Sequence, residues 1–302
     1  MSDYMTFKDI YQAVMKTIAD SQYSRTDEVK AIVNQIYLGE LIACDDLYPL
    51  YWLIECEESK NAKAPATITG ITAANPPVVT AAAHGFVTGD LVSLYSIVGM
   101  TELNNRTFHV PKVTANTFSL QDLSKASIQA SGYTAYSSGG KANHRGLTIT
   151  NCRKLLNAGW HGYSGSLGFV GPEQIDIETG WMDSSTSRPL KMMHRQVYPG
   201  SGSQYDYLLW FQGSDAAYDL RYWYEKQVPR LVSDSDVPYL PAQFHDAIIA
   251  GSVMRLGENK TQVEAGVVWP GIYQKHIEAI KAMNRDWWSK NKPYERSGPF
   301  LA

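Results

Sequence analysis

Apolar residues at Phe7, Ile10, Tyr11, Val14 and Ile18 follow the i, i+3, i+4, i+7, i+11 spacing of one buried helical face. Thr6, with Asp9 three residues later, supplies a capping start for that helix. A second helix begins near Ser24 or Thr26 and carries Val29, Ile32, Val33 and Ile36 on one side. Pro49 fits the first position of a third helix, Leu50 to Glu57, where its missing N–H costs nothing. Residues 5–60 therefore read as helical.

From Ala64 the helical period stops. Short runs, Thr67–Thr72, Val78–Ala81, Leu91–Tyr95, Thr107–Val113 and Thr117–Gln121, are separated by Gly, Pro and Asn turns. That spacing predicts a small all-β module, closing at Ser137-Ser138-Gly139-Gly140. Beyond it, Lys191–Tyr198, Tyr205–Gln212 and Tyr218–Glu225 show alternating patterns around a Pro199-Gly200 turn and predict a three-stranded meander. Helical spacing returns after Pro238 and Pro241, with Phe244, Ala247, Ile248 and Gly251 on one face and Gly257 as the stop. A last helix carries Tyr273, Ile277, Ile280 and Trp287, with Pro270-Gly271 marking a break or kink just before it. The tail from Asn291, with Pro293, Gly298 and Pro299, reads as an extended arm.

The expected fold class is α+β: a helical core with a β-meander, plus an inserted small all-β, barrel-like domain. The insert spans 64–142. The remainder, 1–63 and 143–302, forms the helical domain with β-hairpins and the C-terminal arm.

Composition adds to this picture in three ways. The 19 Tyr and 8 Trp against 8 Phe favour side chains with an apolar body and a polar tip, which suit protein–protein surfaces as well as strands. The net charge of -3 shows no basic patch of the kind that grips a phosphate backbone. The basic residues from Lys281 to Lys292 around Trp287 and Trp288 read as a solvated helix end, with a nucleic-acid contact as the lesser alternative. Cys44, Cys56 and Cys152 are odd in number and lack CxxC spacing, which argues against a disulfide framework or a zinc site. No secretion signal opens the chain and no apolar run spans a bilayer, so no membrane partner is expected.

Catalytic constellations do not assemble from the sequence. Gly162-Tyr163-Ser164-Gly165-Ser166 misses the hydrolase elbow at its fifth position, and it lacks the strand-to-helix context of a phosphate loop. Asp176 and Glu178 would share one strand face, as a carboxylate pair might, but an alternating strand with a solvated acidic face explains them better. The seven His are scattered. His245 beside Asp246 has no second ligand at helical spacing. The sequence therefore predicts no enzyme, no catalytic residue, no metal and no cofactor.

Two resemblances complete the reading. Ile71-Thr72, Asn75-Pro76-Pro77-Val78-Val79-Thr80, Ala83-His84-Gly85-Phe86, Thr88-Gly89-Asp90, Val98-Gly99-Met100-Thr101, Leu103-Asn104, Thr107-Phe108, Ala115-Asn116-Thr117-Phe118-Ser119-Leu120 and Gly132-Tyr133-Thr134-Ala135-Tyr136 run in order through the insert. This string resembles the β-module of phage structural proteins named for the FCCH domain of ubiquitin-activating enzymes. The resemblance implies a virion context and no ubiquitin chemistry.

The second is carried by Leu220-Arg221-Tyr222-Trp223-Tyr224, Pro229-Arg230-Leu231-Val232-Ser233-Asp234-Ser235-Asp236-Val237-Pro238, Leu240-Pro241, Phe244-His245-Asp246-Ala247-Ile248, Arg255-Leu256, Glu264-Ala265, Trp269 and Tyr273. This order is similar to that of tailed-phage head-to-tail adaptor (connector) proteins, over roughly 1–60 and 185–290. It implies a ring of identical subunits, commonly about twelve, between the portal and a tail or nozzle protein. The ring would continue a DNA channel without binding DNA specifically, at the neck of a virion built in the bacterial cytoplasm. On that reading Pro241, Phe244, His245 and Asp246 set a helix entry. Trp287, Trp288, Pro293, Tyr294, Pro299 and Phe300 would dock on the portal or a neighbour. The alternative is a virion surface or fibre-docking protein that uses the β-insert as a binding module, with tail fibres as partners.

Overall fold

The computed structural model describes residues 4–18, 25–111, 113–160, 168–169, 188–197, 206–211, 213–258 and 263–291. The chain divides into two compact units. One is drawn from Met1–Ile54 and Val228–Arg296, the other mainly from Glu55–Gln227.

The first unit opens with α1 (Phe7–Thr17). Its capping box is the predicted one: Thr6 Oγ1 accepts from the Asp9 N–H, and the Asp9 carboxylate accepts from the Thr6 N–H. The next helix, α2 (Thr26–Gln35), runs on into a π-helical turn, Ile36–Leu41. A 3-10 turn, Ala242–Phe244, then leads into α3 (His245–Glu258), and α4 (Val263–Asn291) ends the described unit. Phe7, Ile10, Tyr11, Val14, Val29, Val33 and Ile36 are all buried, as their spacing predicts, against Phe244, Ala247, Ile248, Tyr273 and Ile280. Gly251 permits a close approach within this unit: a Cβ there would lie 2.7 Å from Ile36 Cγ2 and 2.8 Å from Tyr273 Cε2. Pro270 sits inside α4, so of the two outcomes expected at Pro270-Gly271 the break does not occur.

The third predicted helix is also absent. Tyr51–Leu53 makes one 3-10 turn, and the chain then extends as β1 (Ile54–Ala62). Pairing with β13 (Tyr218–Lys226) overrides the local helical preference. The same sheet is completed by β9 (Cys152–Trp160), in the order β1-β13-β9.

A seven-stranded sheet holds β2 (Ala66–Thr67), β5 (Asp90–Val98), β6 (Arg106–His109), β8 (Ser138–Ile149), β10 (Gly168–Phe169), β11 (Lys191–Val197) and β12 (Asp206–Phe211). A small third sheet holds β3 (Gly70–Ile71), β4 (Val78–Thr80) and β7 (Thr117–Ser119). Apart from the parallel pair β10–β11, the registered pairings are antiparallel.

These observations correct the expected architecture. Among the described residues the fold is mixed, about 33% helix and 29% strand, with no helical core evident. In the part expected to be mainly helical, β1, β9, β10 and the end of β8 add to the three strands, β11, β12 and β13, that its alternating pattern predicts. The strands of the insert, expected to be barrel-like, divide between two sheets. The meander also fails. β11 and β12 form the predicted hairpin, but β12's other neighbour is β8, and β13 joins a different sheet. Alternation fixes which face of a strand is buried and leaves its partner open. Ser138-Gly139-Gly140, read as the module's end, lies inside β8, where a Cβ on Gly140 would lie 2.8 Å from Ile97 Cγ1.

Candidate interaction surface

The segment 228–241 has no regular helix or strand, yet its backbone is fixed at many points. Asn34, on α2 and buried, reaches across to Leu231: its Oδ1 accepts the Leu231 N–H at 2.9 Å and its Nδ2 donates to the Leu231 carbonyl at 3.0 Å. The Asp236 carboxylate accepts from the Val232 and Ser233 amides at 2.7 and 2.8 Å. Asp234 takes the Tyr11 hydroxyl and the Lys30 ammonium, and these contacts hold its carboxyl below the ordinary range. The start of α1 lies alongside, with Phe7 N–H donating to the Asp236 carbonyl and Lys8 N–H to that of Asp234. The Tyr239 amide donates to the Tyr37 hydroxyl. On this fixed backbone Val232, Val237 and Tyr239 are exposed, as is Tyr4 next to His245.

A second loop of the same unit, 45–51, is held in the same manner. Its anchor is Asn284 on α4, fully buried, whose Oδ1 accepts the Tyr51 N–H while its Nδ2 donates to Asp45 Oδ2 and the Tyr48 carbonyl. Asp45 Oδ1 accepts the Leu47 N–H. Leu47 itself is 69% exposed.

The tryptophans expected as docking anchors serve this loop. Trp288, only 4% exposed, donates from Nε1 to the Pro49 carbonyl and stacks on Tyr48. Trp287 is half-buried and stacks on Tyr51. Their rings therefore pack within the subunit and present Leu47 and Tyr48. Pro293, Tyr294, Pro299 and Phe300 lie outside the described residues, as do Ser164, Asp176 and Glu178.

The helix-entry residues come together. Pro241 precedes the 3-10 turn and Phe244 is buried at its end. Asp246 is exposed in the first turn of α3. His245 is fully buried: its Nδ1 accepts the Met5 N–H at 3.0 Å, so its Nε2 carries the proton to the Leu240 carbonyl at 2.9 Å. Burial holds this imidazole below its ordinary value of 6.5, against the raising effects of the Leu240 carbonyl and Asp246. A folded value below the unfolded one gives stability that is present above 6.5 and lost as pH falls beneath it. Between about pH 7.5 and about pH 5.5, the wild type should lose more unfolding free energy than His245→Asn does, by up to about 1 kcal/mol. An equal loss of unfolding free energy in the wild type and His245→Asn, read from urea titrations at the two pH values, would remove His245 as a source of acid sensitivity.

Sequence reasoning missed Asn34, Asp45 and Asn284 as builders of this surface. The signal was the Asp-Asp-Leu and Ser-Asp-Ser-Asp runs, which are backbone-capping chemistry at loops.

The insert has its own apolar cluster, including Val79, Phe86, Val92, Leu94, Phe108, Phe118 and Leu120. Beside it lies a buried ionic group. Asp90 accepts Lys63 Nζ at 2.6 Å and the Val87 N–H at 2.8 Å, with His144 Nε2 at 3.3 Å. His84 accepts the Phe86 N–H on Nδ1 and stacks on that ring, so it shapes the turn. Asn104 brackets Ile97, accepting its N–H and donating to its carbonyl, each at 2.9 Å. Among the described residues no group of three His, Cys, Asp or Glu could hold a metal ion. No helix among them is long and apolar enough to cross a membrane.

Comparison of the chain with curated proteins gives no match. Residues 74–145 match the family described as the ubiquitin-activating enzyme E1 FCCH domain, so the chain carries an FCCH-like insert.

Proposed function

We propose that this chain is a structural subunit of a tailed bacteriophage, an adaptor at the head-to-tail junction between the portal and a tail or nozzle protein. One observation carries the reading. The stretch 229–238, which bears the adaptor resemblance, is a loop whose carboxylates and backbone are committed to holding apolar side chains outward. Such a surface binds without the cost of ordering itself. The FCCH-like insert fits the same virion context. The weak net charge of -3 suits a conduit through which DNA slides. The C-terminal arm, with Pro293, Tyr294, Pro299 and Phe300, is the proposed portal contact. The protein works by assembly, with no catalytic step.

The insert, with an apolar cluster of its own, also favours a second reading as a binding module for tail fibres. A cryo-electron reconstruction of the neck of the purified virion separates the two. Density in a ring directly below the portal is expected. Copies on the capsid surface or a fibre, with none at the neck, would overturn the adaptor reading and favour the second.

A further inference from the structure

The segment 82–89, which leads from β4 into β5, is fixed by three side-chain acceptors. Asn116 Oδ1 accepts the Ala83 N–H at 3.0 Å, His84 Nδ1 accepts the Phe86 N–H at 2.9 Å, and Asp90 Oδ2 accepts the Val87 N–H at 2.8 Å. Ala83 has a φ of +49°, a left-handed conformation that costs a residue with a Cβ. The segment closes over Phe86, which is buried. The Phe86 ring stacks on His84 with centroids 5.1 Å apart and meets Phe118 edge-on at 5.3 Å. A strained turn is thus held over an apolar side chain, and two of its three acceptors can take a proton.

The geometry at His84 makes its proton disruptive. An Nδ1 that receives the Phe86 N–H has its lone pair in that bond, so the neutral ring carries its hydrogen on Nε2. Nε2 is buried and makes no well-formed hydrogen bond among the described residues. A second proton would go to Nδ1, 2.9 Å from the Phe86 nitrogen, and set one N–H against another. It would also bury a cation, since His84 is only 4% exposed. Three charged or titratable groups stand around this turn. Lys63 runs along it, its Cδ 3.9 Å from the place of a Cβ on Gly85, and its ammonium lies 2.6 Å from Asp90. His144, on β8, also stacks on Phe86, with Nε2 3.3 Å from Asp90 Oδ1. Arg145, next along β8, acts on Tyr95 instead. Burial and Lys63 hold the His84 imidazole below its ordinary 6.5, against the backbone of Thr117 and Thr114 and the Asp90 carboxylate.

We infer that the segment 82–89 is a proton-operated latch: one proton on His84 Nδ1 frees the Phe86 amide, and the turn lifts off the apolar cluster with Phe86 while the β5–β8 pairing stays closed. The latch belongs to the insert alone and is independent of the adaptor reading. A folded value below the unfolded one gives closure that is stable above 6.5 and weakens as pH falls beneath it. Opening should rise about tenfold for each pH unit below 6.5, the slope of one proton. Asp90, held below 3.8, acts only in stronger acid.

The test follows the full chain by hydrogen exchange and mass spectrometry from about pH 7.5 to about pH 4.5, with rates corrected for the intrinsic effect of pH. In the wild type, peptides over 82–89 should lose protection about tenfold per pH unit below 6.5, while those over β8 keep theirs. His84→Asn keeps an oxygen for the Phe86 amide, as in an Asx turn, and has no proton to gain. Its protection over 82–89 should stay flat to about pH 4.5. The ring-carbon resonance of His84 in the wild type, followed against pH, gives a reading that needs no variant. Its midpoint should lie below 6.5. The inference is overturned by a wild type whose segment 82–89 stays fully protected to about pH 4.5. A His84→Asn protein that opens with acid as the wild type does would also overturn it, as would a His84 midpoint at or above 6.5.

Discussion

Gly99→Ala should cost the insert about 3 kcal/mol or more, the largest loss expected from a single methyl group among the described residues. Gly99 has a φ of +97°, in the region that L side chains rarely adopt. A Cβ there would stand 2.2 Å from the Ala135 carbonyl oxygen and 2.7 Å from the Ser137 nitrogen. Both are backbone atoms, and Ser137 N–H is bonded to the Val98 carbonyl, so neither withdraws without opening the end of the β5–β8 pairing. Gly89 is the natural control: its φ is also +97°, and nothing lies within 4 Å of its Cβ position. Gly89→Ala should cost about 1 kcal/mol, from backbone strain alone. Hydrogen exchange read by mass spectrometry should show lost protection over β5, β6 and β8 in Gly99→Ala, with α3 and α4 unchanged. Equal protection in the two variants would mean that the close contact carries no weight.

Asp90→Ala is the second large effect, expected at about 3–5 kcal/mol because it strands a buried charge partner. Lys63, with its side chain 11% exposed, would keep an ammonium facing a void, and the Val87 amide would lose its acceptor. Burial by itself pushes the Asp90 carboxyl up, but His144 and Lys63 outweigh it and hold the group below 3.8. A folded value below the unfolded one gives stability that is present above about 3.8 and lost as pH falls through the folded value. The insert should therefore loosen in acid, and Asp90→Ala should lack that dependence. Replacing Lys63 by methionine in the Asp90→Ala background should restore part of the loss, since the two sites share one interaction. An Asp90→Ala protein with wild-type urea unfolding at neutral pH would show that the group contributes nothing net.

Much of the first unit was legible because local rules and tertiary packing agree there. The Phe7–Val14 stripe, the Thr6–Asp9 cap and the Val29–Ile36 face are all found where their spacing places them. Leu50–Glu57 failed because the competing state, a strand against β13, is stabilised by residues about 160 positions away. The meander failed for a related reason: Tyr218, Leu220, Tyr222 and Tyr224 alternate correctly, but alternation suits β9 as well as β12. The insert was read through its turn glycines and asparagines, whose roles are local, as at Gly99 and Asn104. The interaction surface was half visible. The resemblance marked 229–238, but the anchoring of Trp287 and Trp288 beneath residues 48–51 depends on a helix end meeting a loop more than 230 residues earlier. Spacing along the chain does not encode such a meeting.

Asn34, Asn104 and Asn284 share one device: a side-chain amide that receives one backbone group and donates to another. An amide does both and a carboxylate only accepts. Spontaneous loss of the amide nitrogen as ammonia, the slow chemistry by which asparagine ages to aspartate, would leave each site facing a carbonyl with like polarity where a donor had been. The loops on which Val232 and Leu47 stand thus carry a built-in clock. Their shape persists as long as two amide nitrogens, shielded here by burial, remain in place.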